Sequence, residues 1–173
     1  MKQLSLFGQN AHDDQASRAP SLCAYWKLSV DGASRNNPGP AGAGIYLVKN
    51  DQMFESAGYF LGIKTNNQAE YLALLIGLLH VRTHIQQSDK LLIISDSQLL
   101  IRQLTGEYKV RHEHIKHLHR VARTLLAGIT YSVMHVLRED NAHADHLANV
   151  GIDTHNLLSA AMKDELTRHG VMF

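Results

Sequence analysis

Apolar positions along the 173-residue chain change their spacing once, and the change divides it into two styles of structure. Between residues 24 and 62 the apolar runs are short. "AYWKLSV" (24–30), "GIYLV" (44–48) and "MFESAGYFLG" (53–62) are separated by turn residues, Lys49-Asn50-Asp51 among them, which predicts three strands in an antiparallel meander. "NNQAEYLALLIGLLHVRTH" (66–84) is then apolar nearly all round, the pattern of a helix buried against a sheet. "KLLIIS" (90–95) is continuously apolar, as in a strand covered on both faces, and "SQLLIRQLTG" (97–106) predicts a short helix ended by Gly106. Beyond it the pattern predicts a helix over 111–128 closed by Gly128 and a strand over 131–137 ("YSVMHVL"). A helix over 141–151 closed by Gly151 and a last helix over 154–169 follow. Strands interleaved with helices in this way predict a mixed α/β sheet of five strands.

Length suits one domain, starting near Cys23, with 23–151 as its body and 152–173 as a C-terminal helix and tail. Residues 8–21, "GQNAHDDQASRAPS", have little to bury, so 1–22 are expected to be a flexible leader. The net charge of +1 is no polyanion signature, and any nucleic-acid contact must come from local charge. The single cysteine, Cys23, excludes an intrachain disulfide framework and a Cys-rich zinc site, and fits a reducing compartment. With no run of eighteen apolar residues and no signal-peptide order at the start, a cytoplasmic location is expected.

Candidate chemistry lies at element ends. Asp31 closes the first predicted strand, Glu70 sits in the first turn of the buried helix, Asp96 follows the central strand, and Asp145 lies in the first turns of a late helix. Singly, each has an ordinary use as a cap, a turn residue or a solvated charge. Together they are harder to dismiss, because burial alone gives two apolar strands no reason to end on carboxylates. If those strands are neighbours, Asp31 and Asp96 meet at one sheet edge, where ligand sites in open α/β sheets lie, and helix starts deliver Glu70 and Asp145 there. Four such groups cannot all stay ionised and close without cations. Hard oxygen donors without cysteine favour magnesium or manganese, and clustered carboxylates suit a pair of ions working on a phosphodiester. A phosphate-binding loop at "LSVDGASRNNPGPAGAG" (28–44) is disfavoured: it holds no G-x-x-x-x-G-K-[ST] and no G-x-G-x-x-G, and strand follows where a helix is needed. Its glycines and prolines read as turn chemistry.

Four blocks, "DGASRNNPGPAGAG", "TNNQAEYLAL", "ISDSQLLIRQLTGEYKV" and "HVLREDNAHADHLAN", each with its acidic residue, closely resemble the ribonuclease HI family in order and spacing over about residues 24–150. The resemblance implies the ribonuclease H-like fold, a five-stranded mixed sheet flanked by helices. It also implies that Asp31 bridges two Mg2+ ions (or Mn2+), that Glu70 and Asp96 hold one of them and that Asp145 holds the other. One ion would activate the attacking water and the other would stabilise the leaving 3′ oxygen. The implied activity is endonucleolytic cutting of the RNA strand of an RNA/DNA hybrid, leaving a 5′ phosphate and a 3′ hydroxyl. His135 falls where the family has a mobile histidine assisting proton movement and product release, or it is an ordinary strand histidine. Asn37, Asn66 and Gln68 fall where the family contacts ribose 2′ hydroxyls, and Thr65 where it holds a phosphate of the DNA strand. The 2′ hydroxyl donates and accepts, which an amide can match, although Thr65 and Asn66 also suit a helix cap.

The chain departs from some members of the family. "GEYKV" (106–110) runs almost directly into the next helix, where those members carry a basic, Trp-rich protrusion, and the only tryptophan is Trp26. In its place residues 107–123 hold five Lys/Arg against two Glu, with His112, His114, His117 and His119, which predicts a basic helix near the hybrid's phosphates in preference to a zinc site. A separate N-terminal hybrid-binding domain is not expected of 22 mostly polar residues. Within the leader, Gln3-Leu-Ser-Leu-Phe7 resembles the bacterial sliding-clamp-binding pentapeptide, with Gln3 as anchor and Leu6-Phe7 filling an apolar pocket. It docks on such a clamp or on its own domain. The expected role is removal of RNA in DNA replication or repair. The competing readings are a catalytically inactive hybrid- or clamp-binding module, against which the four carboxylates stand, and a DNA-directed relative on a related fold, against which the Asn37, Asn66 and Gln68 set stands.

Overall fold

The computed structural model describes residues 23–172. Five strands, β1 (Tyr25–Ser34), β2 (Gly39–Lys49), β3 (Gln52–Lys64), β4 (Lys90–Ser95) and β5 (Thr130–His135), form one sheet in the order β3-β2-β1-β4-β5. The first three are antiparallel, and β4 and β5 add in parallel beside β1. Parallel neighbours need crossovers, which are supplied by α1 (Asn66–Arg82) and then by α2 (Gln98–Leu104) with α3 (Glu113–Leu126). The chain ends with α4 (Ala142–Thr154) and α5 (Ala160–Arg168).

Side chains alternate along β1, so Trp26, Leu28, Val30 and Gly32 share one face. On that face lies α1, whose Gly77 faces Leu28 and Val30, and α3 packs on α1 in turn. The even apolarity of α1 follows, since it is covered by the sheet on one side and α3 on the other. Helix α3 packs mainly on α1, which leaves its outer face to solvent. Ile115, Leu118, Val121, Ala122, Leu125 and Leu126 point inward, while His114, Arg120 and Arg123 are exposed.

The second strand is longer than its apolar run predicts. Residues 39–43, read as part of a turn, are strand: 41–43 pair with β1 as far as Ser34, and Gly39 and Pro40 pair with β3, leaving only 35–38 as the turn, closed by Arg35 N donating to Pro40 O at 2.9 Å. Glycine and alanine hide this strand because the opposite face of the sheet carries α4 at backbone distance. A Cβ on Gly42 would stand 2.1 Å from Ala148 O, and one on Gly44 1.9 Å from Ala144 O. Gly58 on β3 meets Leu147 O in the same way. Gly42 and Gly44 are packing surface, which corrects their reading as turn chemistry.

Gly106 and Gly128 end α2 and α3 with φ of +81° and +78°, as expected. Gly151 does not end α4. It packs on the Tyr59 backbone inside the helix, which runs on to Thr154 and stops at His155 in the left-handed region. Helix α5 starts at Ala160, capped by Ser159, and Leu158, Leu166 and Val171 join the same core as the strands. At the opposite end of β1 from Asp31, the buried Asp89 accepts from Ala24 N, Trp26 Nε1 and Gln86 N at 2.9, 2.9 and 3.0 Å. Burial opposes its charge, but these donors outweigh it and hold the carboxyl below its ordinary range.

Candidate active site

The site is assembled by strand register. Ser29 of β1 stands opposite Ile94 of β4, so two residues further along each segment Asp31, still in β1, and Asp96, just past the end of β4, emerge side by side. Asp31 lies within β1 rather than at its end, because β2 continues to pair beyond it. Its cross-strand partner is Gly44, the residue on which Ala144 of α4 rests, and this contact brings Asp145 to Asp31. Glu70 comes from the other face. It occupies the second turn of α1, not the first, and reaches the site because Gly32 lets the helix backbone in: a Cβ there would lie 2.1 Å from Glu70 N. His135 ends β5 with Nε2 3.1 Å from Asp96 O.

Asp31 and Glu70 are 6% and 7% exposed, while Asp96 and Asp145 are half-buried. Burial, with Asp96 and Asp145 adding to it, pushes the Asp31 carboxyl up to about 7, and Arg138 and the Gly32 N–H offset only part of this. Burial and the charges of Asp31 and Asp96 push Glu70 up to about 9. Glu70 Oε2 is buried with no hydrogen-bond partner. An isolated oxygen of this kind is costly unless something positive approaches it.

The donor set therefore fits a hard divalent cation: oxygens only, two of the carboxylates buried against their own charge, and one orphaned acceptor. Among the described residues no three His, Cys, Asp or Glu side chains form a ready ligand shell. The like charges repel, and Asp145 is engaged by Arg138, whose Nη2 donates to Asp145 Oδ1.

Of the remaining candidates, Thr65 caps α1 in a reciprocal box. Gln68 N donates to Thr65 Oγ1 at 3.3 Å and Thr65 N donates to Gln68 Oε1 at 2.9 Å. Asn37 Oδ1 accepts from Asn66 N at 2.8 Å, tying the β1–β2 turn to the helix start. Asn37, Thr65 and Gln68 line a groove of about 270 Å³ whose other wall is His112, His114 and Ile115 at the start of α3. His119 Nε2 lies 3.2 Å from Gln103 O, and His117 faces Gly170. Gln3, Leu6 and Phe7 lie outside the described residues.

Two residues of the site escape a sequence reading. Arg138 is one. Asn141 is the other, buried and donating through Nδ2 to Val30 O at 3.0 Å and to Asp96 Oδ1 at 2.9 Å. It fixes the turn 138–141 against β1 and orients the Asp96 carboxylate. Both lie in the same block as Asp145, but nothing in their spacing distinguishes them from surface polar residues. For Gly42 and Gly44 the signal is two glycines two residues apart on one face of β2.

The chain matches the family model described as "Reverse transcriptase-like" over residues 29–151. It is 39% identical over 141 residues to ribonuclease HI of Halobacterium salinarum, covering 80% of this chain and 68% of that protein. The crystal structure of RNase H1 from that archaeon superposes with a TM-score of 0.71 at 38% identity, over 75% of this chain and 98% of the other. LC11-RNase H1, solved in complex with an RNA/DNA hybrid, gives a TM-score of 0.70 at 29% identity over 76% and 97% of the two chains. The bifunctional protein Rv2228c of Mycobacterium tuberculosis is 33% identical over 143 residues, which are 79% of this chain but 38% of that longer protein. The chain belongs to the ribonuclease HI family, with the ribonuclease H-like fold.

Proposed function

We propose that the protein is an endonuclease that hydrolyses the RNA strand of RNA/DNA hybrids. The observation that carries this is the convergence of Asp31 of β1, Asp96 just past the end of β4, Glu70 of α1 and Asp145 of α4 in a chain of this family, beside the groove of Asn37, Thr65 and Gln68. Asp31, Glu70, Asp96 and Asp145 would hold Mg2+, or Mn2+ in its place, and a pair of such ions supplies activation of water and neutralisation of the leaving oxygen, giving 5′ phosphate and 3′ hydroxyl ends. Asn141 keeps Asp96 turned toward the cluster. Exposed His135, donating from Nε2 to Asp96 O, would present Nδ1 to solvent as a proton acceptor. With Asn37 Oδ1 taken by Asn66 N, its Nδ2 is left to donate to a ribose 2′ hydroxyl, the group that separates RNA from DNA. Asn66 and Gln68 would extend that contact, and Thr65, at the helix start, would meet a phosphate of the DNA strand.

With α2 joined to α3 by residues 105–112 alone, phosphate contacts fall to the exposed basic face of α3, which makes affinity salt-dependent. Labelled RNA/DNA hybrid, duplex DNA and duplex RNA, incubated with the protein and magnesium, test the proposal. Cutting of the hybrid's RNA strand alone is expected, and cutting of duplex DNA instead would overturn it.

The setting we propose is cytoplasmic DNA replication or repair. Exposed, unpaired Cys23 agrees with a reducing compartment, and no helix among the described residues is long and apolar enough to cross a membrane. Gln3–Phe7 would dock on a sliding clamp and so tether the enzyme to it. Calorimetric titration with a bacterial clamp is expected to show binding that Phe7→Ala removes. Equal binding by the two chains, or none, discards the tether.

A further inference from the structure

We propose that Arg138 is an internal counter-ion for the acidic cluster, holding Asp145 in place until a divalent cation takes that carboxylate from it. The inference rests on the cation site proposed above and concerns how this chain prepares it. Arg138 opens the turn 138–141, and its Nη2 donates to Asp145 Oδ1. The same turn ends at Asn141, which is pinned to Val30 O and Asp96 Oδ1. The root of the arginine is thus fixed to β1 next to Asp31 and to the Asp96 carboxylate. Its head is free to leave, since the Arg138 side chain is 74% exposed against 26% for Asp145.

The guanidinium also acts beyond its direct partner. It favours the charged forms of Asp31 and Glu70 and is itself raised by Asp145, Asp31 and Asp96. One resident positive charge therefore lowers the mutual repulsion of the whole cluster. It cannot stay once a divalent ion binds Asp145, because the two cations would compete for the same oxygens at close range, and the flexible stem offers an inexpensive exit to solvent. Arg138 is thus a positioning residue: it preserves the cation-free arrangement and weakens cation binding.

Calorimetry and thermal melts of the full chain with MgCl2 or MnCl2, without nucleic acid, separate the two states. Arg138→Gln is expected to bind the cation roughly two- to tenfold more tightly and to melt roughly 2–4 °C lower when cation-free. Arg138→Lys, which keeps the charge, stays within about twofold of the unaltered chain. Cation binding by Arg138→Gln that is equal to or weaker than that of the unaltered chain overturns the inference, as does an Arg138→Lys chain that binds like Arg138→Gln. Absence of binding by every chain overturns the cation site itself, and the inference with it.

Discussion

Asp31→Asn is expected to abolish cleavage of an RNA/DNA hybrid, by about a thousandfold or more, while making the cation-free protein more heat-stable at pH 8. The first effect follows from position: Asp31 feels Asp96 and Asp145 and in turn raises Glu70, so its loss removes the group common to the whole cluster. Losing about 4 kcal/mol of transition-state stabilisation is a factor of about a thousand. The second follows from linkage. Asp31 is raised from 3.8 to about 7 and Glu70 from 4.5 to about 9, so between these limits the folded chain binds more protons than the unfolded one. The contribution of these groups to stability is intact below their unfolded values, declines as pH rises through the window, and is fully lost above about 9. Removing the Asp31 charge removes its own share of that decline and part of the share of Glu70. Melting curves at pH 5 and pH 8.5 in EDTA check this: the unaltered chain should lose stability between them, and Asp31→Asn should lose less. Magnesium should stabilise the unaltered chain at pH 8.5 and have little effect on the variant. Hybrid cleavage surviving in Asp31→Asn, or identical pH slopes in the two chains, would remove Asp31 from the site.

Gly32→Ala, a single added methyl group, is expected to cost about 3 kcal/mol of stability, the upper end of overpacking, and at least a hundredfold in cleavage. The new Cβ would lie 2.1 Å from Glu70 N and 2.2 Å from Ala69 C, both backbone atoms that cannot rotate aside. Relief requires α1 to lift from β1, and the helix carries Glu70, Thr65 and Gln68 with it. A shift of the order of 1 Å in a catalytic constellation costs about a hundredfold. Chemical denaturation gives the stability and initial rates on the hybrid give the activity. A variant as stable and as active as the unaltered chain would show that this approach of helix to strand does not set the site. Gly106→Ala is a contrasting control. Nothing lies within 4 Å of a Cβ there, so its strain, from a φ of +81°, is local to the end of α2 and should leave the rate unchanged.

The outline of this protein could be read without its structure because apolar periodicity is a local property. The run 90–95 is a strand, 66–82 a helix buried on most sides, and the breaks at Gly106 and Gly128 stand where the chain turns with positive φ. The acidic residues at the ends of apolar runs were legible for the same reason, since a charge interrupting a buried pattern is conspicuous wherever it falls. What the sequence could not reveal were features that depend on two distant segments meeting. Residues 39–43 look like a turn because the strand they form is matched to the backbone of α4, a hundred residues later, and small residues satisfy that contact while carrying no strand signal. Gly151 looks like a helix end until Tyr59 is seen against it. Asn141 and Arg138 are ordinary polar residues in a polar loop, and only the folded chain shows one anchored to Val30 and Asp96 and the other, across the turn into α4, as the partner of Asp145. Sequence by itself determined which groups the chain possesses and which elements carry them. Tertiary structure alone decided how close those groups come and how far burial shifts their charge, because proximity and desolvation belong to the packed molecule and to no segment of it.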